Sequence, residues 1–155
     1  MAKMSFSVLR NHSFRLLLLT RTFGVIALQA QAVIVGWQVY SLTKNVFLLG
    51  LIGLTEAIPA IITALFAGHL VDIYSPKRIY TLCLSAIALN TVFLFAVGSG
   101  FIPLSNKALV CALFIGVFAS GITRTFVRPA SFALMPQTIG KANVPAGMAW
   151  LTSFY

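Results

Sequence analysis

Apolar residues run along this chain in long stretches broken by short polar punctuation, with no sustained strand-like alternation. A helix that crosses a bilayer needs roughly 20 mostly apolar residues. Runs of that order follow one another at about 14–40, 46–70, 79–97 and 107–126. Turn signals fall between them: Ser41 to Asn45, Asp72 to Arg78, and Gly98 to Asn106 with Pro103 inside it. Beyond the fourth run, Pro129, Pro136, Gly140 and Lys141 predict a broken, more polar connection. A fifth helix is expected at about 143–155, with Asn143 as its N-cap and Pro145 in the first turn, where a missing N–H costs nothing. That run is too short to cross and ends on Trp150, Leu151, Phe154 and Tyr155 without a closing charge. The expectation is therefore an all-α membrane chain, a single incomplete domain over 1–155 with four transmembrane helices and the start of a fifth.

Composition turns this pattern into a class assignment. Hydrophobic residues make up 59% of the chain and charged ones 8%, against about 25% charged in a soluble domain. A water-soluble fold of this size could not hide so much apolar surface, whereas lipid removes the need to. The net charge of +9 does not point to nucleic acid. The basic residues stand singly or in pairs between apolar runs, without the clustered face that groove or backbone binding wants. They report orientation. With the N-terminus in the cytoplasm, the inner segments hold Lys3, Arg10, Arg15, Lys77, Arg78, Arg128 and Lys141, and the outer links hold Lys44 and Lys107. That asymmetry follows the positive-inside rule and predicts a multi-pass protein of a bacterial inner membrane. No cleavable signal precedes the first run, because Leu16 to Leu19 is soon interrupted by Arg21. Cys83 and Cys111 fall at different depths and are expected to be free.

Polar and ionisable side chains inside a span need a partner, a wet cavity or a route to the surface. Glu56 stands near the middle of the second run. It reads either as a proton-binding group or as a permanently paired structural one. Arg21, in the inner half of the first run, either snorkels to the headgroups or lines a cavity. Gln31 and Gln38, seven apart, share a face of the first helix. Small residues recur every fourth position as Ala60, Ala64, Gly68 and as Ala112, Gly116, Ser120, the first series ending at Asp72 and the second at Arg124 and Arg128. Such stripes let helices approach closely in lipid, which suggests a latch between Asp72 and Arg124 or Arg128; separate solvation of each charge is the alternative. Enzyme chemistry finds no support. His12 and His69 lie at span edges, two acidic residues cannot build a metal cluster, and no phosphate-binding glycine loop occurs, so neither cofactor nor metal is expected.

The segment Gly68-His69-Leu70-Val71-Asp72-Ile73-Tyr74-Ser75-Pro76-Lys77-Arg78 resembles the loop signature between the second and third helices of the major facilitator superfamily, matching at Gly68, Leu70, Asp72, Lys77 and Arg78. Asn11-His12-Ser13-Phe14-Arg15-Leu16, Trp37-Gln38-Val39-Tyr40 with Leu42-Thr43, Gly50-Leu51-Ile52-Gly53-Leu54 with Pro59, and Pro129-Ala130 with Ala133-Leu134-Met135-Pro136 are similar to elements of one branch. That branch contains the enterobactin exporter and the macrolide efflux pumps. The resemblance implies the N-terminal part of a six-helix half-bundle in a twelve-helix secondary transporter. It would export a small hydrophobic molecule, drug or siderophore by proton antiport and alternating access, its partners being lipid, substrate, protons and the missing C-terminal half. It makes Gly68, Asp72, Lys77, Arg78, Arg124 and Arg128 an inner gate, and Arg21, Gln31, Gln38 and Ser120 candidate cavity-lining residues. A small multi-helix scaffold or assembly subunit without transport is the competing expectation.

Overall fold

The computed structural model describes residues 11–140 and 144–153, with the side chains of Asp72 and of 151–153 outside the described set. The described residues form five helices: α1 His12–Thr43, α2 Val46–Ile73, α3 Pro76–Gly98, α4 Asn106–Ile139 and α5 Val144–Ser153. The first four are long and apolar enough to cross a membrane. The expected Asn143 cap lies outside the described residues.

Each junction has a local cause. Asn11 and Asn45 cap α1 and α2, their side chains accepting from the backbone N–H of Ser13 and Phe47. Lys44 ends α1 in the left-handed region at φ 51° and lets the chain reverse at once into α2. Pro76 occupies the first turn of α3, so that helix starts three residues before the expected point.

The larger departure is α4. It runs through Pro129 and Pro136 to Ile139 instead of breaking after Phe126. Proline removes one backbone bond, but neighbouring helices and hydroxyl side chains re-satisfy the freed groups in a membrane bundle. Thr123, Thr125, Ser131 and Thr138 all bond back to carbonyls of their own helix. The segment is also buried, with Ala130, Ser131 and Met135 fully inaccessible.

α4 is the centre of the bundle, packing most extensively on α2 and α3 and also on α1 and α5. Gly121 makes the α2 contact possible: a Cβ there would run into the backbone carbonyl of Glu56. The expected seam is thus corrected. Gly116 meets Leu94 of α3, and Ala64 and Gly68 face outward, with open space where a methyl group on Gly68 would sit.

Two apolar clusters join α1 to α4 at different heights. Val35, Val39, Ile52, Leu94, Val97, Leu113 and Val117 form one. Leu17, Val71, Tyr80 and Ala130 form the other, near the end where α1 begins. Between them every one of the four helices carries polar side chains. A third cluster seats Phe14 on Met135 and Ile139 beside α5, and Asn11 Nδ2 donates to the Thr138 carbonyl at 2.6 Å. The Asn11–Leu16 and Pro129–Pro136 elements, far apart in sequence, thereby meet.

Candidate functional site

The polar band between the two apolar clusters divides into a charged side and a neutral side. On the charged side, Arg124 Nη1 donates to Glu56 Oε1 at 2.6 Å, and its Nη2 donates to Gln29 Oε1 at 3.0 Å. Gln29, Glu56 and Arg124 all stand within four residues of their helix midpoints. The pair is partly accessible, 35% for Arg124 and 25% for Glu56, and Arg124 lines a cavity.

That cavity, about 110 Å³, lies between α1 and α4 and is lined by Arg21, Val25, Leu28, Gln29, Arg124, Val127 and Arg128. Arg21 is 6% exposed, so its side chain is enclosed by the bundle. It donates to Ser131 Oγ at 3.0 Å and lies 4.9 Å from the centre of the Phe132 ring. Ser131 in turn donates to the Arg128 carbonyl at 2.8 Å, and the Arg128 guanidinium lies 5.9 Å from the same ring. The Phe132 ring thus lies beside both guanidiniums, within the reach of a cation–π contact.

The neutral side joins α1, α3 and α4. Gln31 Nε2 donates to Ser120 Oγ at 2.9 Å, while Gln31 Oε1 accepts from Thr91 Oγ1 at 2.9 Å. Asn90 Nδ2 donates to Ser120 Oγ at 2.7 Å and to the Gly116 carbonyl at 3.1 Å. Farther along, Gln38 Nε2 donates to the Gly98 carbonyl at 2.8 Å. Each amide is satisfied by a neighbouring helix, as buried polar groups in an apolar medium must be. Gln31 and Gln38 do share a face, turned to α3, and both line a cavity of about 470 Å³ there.

Arg124 is engaged by Glu56. Asp72 follows Glu56 by sixteen residues on α2, about 24 Å along the axis, and the side chain of Asp72 lies outside the described residues. Gly68, Lys77 and Arg78 sit at the α2–α3 corner, all three exposed. Cys83 and Cys111 are both free. Among the described residues no group of three or more metal-ligating side chains occurs.

Sequence reading passed over Gln29, Asn90, Thr91 and Ser131. The first three carried the signal used for Gln31, a polar side chain in the middle of an apolar run. Ser131 carried none, because it falls in the segment expected to be non-helical.

Neither the curated proteins nor the solved structures contain a match to this chain. Residues 3–154 match the family described as transmembrane secretion effector. With four helices of spanning length, that match makes the protein a multi-pass membrane transporter of the major facilitator type. The chain belongs to the transmembrane secretion effector family.

Proposed function

We propose that this chain supplies the N-terminal part of the substrate path of a secondary exporter in the branch of the enterobactin and macrolide exporters. It moves a small hydrophobic molecule, drug or siderophore across a bacterial inner membrane by alternating access, with its N-terminus in the cytoplasm. The observation that carries this reading is the Arg124–Glu56–Gln29 constellation at mid-helix on α4, α2 and α1, open to a cavity. Charges at that depth are expensive, and transporters place them where substrate and coupling ion meet.

Protons are the coupling ion in this reading, and Glu56 is their place of entry, as the antiport expectation requires of an acid inside the bundle. Protonating Glu56 removes its charge and releases Arg124. Gly68, Asp72, Lys77 and Arg78, at the α2–α3 corner, act as the gate on the cytoplasmic side.

The test is transport by the complete protein in proteoliposomes, with an imposed pH gradient and a panel of hydrophobic drugs and siderophores. Gradient-dependent movement of at least one compound, lost in Glu56→Gln, is the expected result. No movement of any compound by the wild type, or full gradient-dependent activity in Glu56→Gln, overturns the transport reading or the role of Glu56, respectively.

A further inference from the structure

Ser120 keeps one hydrogen-bonding group that its neighbours do not use. Its Oγ accepts from Gln31 Nε2 at 2.9 Å and from Asn90 Nδ2 at 2.7 Å. A hydroxyl has two acceptor sites and one proton to give, so what remains is the proton. Asn90 is fixed as a donor, because the same Nδ2 also bonds the Gly116 carbonyl. Among the described residues no acceptor takes the Ser120 proton, and the side chain is only 5% exposed. A buried donor without an acceptor is costly. Glu56 is incomplete in the opposite sense. Its Oε1 takes the Arg124 bond, and among the described residues no donor reaches its other oxygen.

Both side chains line one small cavity between α1, α2 and α4. It measures about 20 Å³, with Gln31 as its third polar wall and Leu28, Ile52 and Val117 among its apolar ones. A water needs about 10–15 Å³ and two to four polar partners, so the cavity has room for one molecule and partners enough to hold it. Water can accept through its oxygen from Ser120 and donate a proton to the carboxylate. A cation suits the place badly, because both Ser120 acceptor sites are already taken. Gln31 also lines the cavity of about 470 Å³ between α1 and α3, which gives water a way in past its side chain.

We infer that the small cavity binds a single water, which takes the Ser120 proton and donates to the Glu56 carboxylate. Arg124 holds one carboxylate oxygen and the water holds the other, so Glu56 is clamped from two sides. The charged side of the polar band is thereby tied to the neutral side through one exchangeable molecule. Binding of this water does not depend on export.

Glu56 is the single glutamate of the chain, so glutamate isotope-labelled at its carboxyl carbon gives one reporter. Solid-state NMR of the purified chain in lipid bilayers then measures magnetisation transfer from water protons to that carbon. Transfer is expected in the wild type. Val117→Ile adds a methylene to the wall of the small cavity and should abolish most of it. Val25→Ile makes the same addition in the cavity lined by Arg21 and Arg124 and should leave it unchanged. No transfer in the wild type, full transfer in Val117→Ile, or equal losses in the two variants would each overturn the inference. Equal losses would mean that water reaches Glu56 from the Arg124 side. Should Val117→Ile fail to fold, Ala32→Val fills the same cavity from α1 and decides in its place. Because no transport is measured, a missing water in a protein that exports a compound sinks the water site alone. A bound water in a protein that moves nothing sinks the export reading alone.

Discussion

The two sides of the polar band handle the same problem differently. At Gln31, Thr91, Asn90 and Ser120 the groups are uncharged, and each finds its bond on a neighbouring helix. At Arg21, Arg124 and Arg128 the groups are charged and line a cavity, and Glu56 holds one of them, Arg124. Gln29 and Gln31 show how close the two regions are: two residues apart on α1, they turn about 200° away from each other, one toward Arg124 and the other toward α3 and Ser120. Position in the membrane therefore does not separate structural from functional polarity. Charge does. Neutral amides that close on one another hold helices together, whereas charges at that depth are costly enough to mark a path for substrate or ion.

The contrast can be broken most severely at Gly121, which lets α2 come close enough for Glu56 to reach Arg124. Gly121→Val puts branched carbon against the Glu56 carbonyl. It should cost several kcal/mol, beyond the usual ~1–3 kcal/mol for overpacking, since backbone cannot step aside. Little folded protein should survive purification by size-exclusion chromatography, and a normal monodisperse yield would show that the helices can separate there without loss.

Next in size is the ion pair. Glu56→Ala leaves Arg124 without its carboxylate, and Glu56→Ala with Arg124→Ala removes both charges together. Thermal unfolding in detergent should show a loss of about 1–2 kcal/mol for the single variant, less than the 3–5 kcal/mol of a fully buried pair because both groups are partly accessible. The double variant should recover stability while remaining inactive in export. A double variant as unstable as the single one would mean that the pair contributes through packing and not through charge.

On the neutral side, Ser120→Ala deletes the hydroxyl that accepts from both Gln31 and Asn90. Interhelical hydrogen bonds in membranes average about 0.6 kcal/mol, so the two together should lower the melting temperature by only a few degrees and spare export. Loss of export at normal stability would place Ser120 among the functional groups and dissolve the distinction drawn above. The smallest effect is expected at Gly68, where an added methyl meets nothing. Gly68→Ala should leave stability within about 0.5 kcal/mol. A larger loss would mean that the α2–α3 corner is packed against something.

Spans, class and the special positions of Glu56, Arg21 and Arg124 were legible because apolar runs and mid-span charges announce themselves in one dimension. Pairing was not. The small-residue stripes suggested where α2 and α4 meet, but Gly121 is what lies against the Glu56 backbone, and the stripe at Gly116 and Ser120 obscured it. Pro129 and Pro136 misled for a related reason: proline breaks an isolated helix, yet here tertiary packing and hydroxyl back-bonds carry α4 through. Asn90 and Thr91 were readable and simply resembled ordinary polar interruptions until α1 and α4 were seen to face them.

The bond from Asn11 to the Thr138 carbonyl joins residues 127 positions apart. At a ribosomal rate of roughly 5–20 residues per second, its two partners emerge about 6–25 s apart. Throughout that interval the first corner of the bundle has its lipid or a chaperone for company, and the lock that fastens it arrives only with the end of α4.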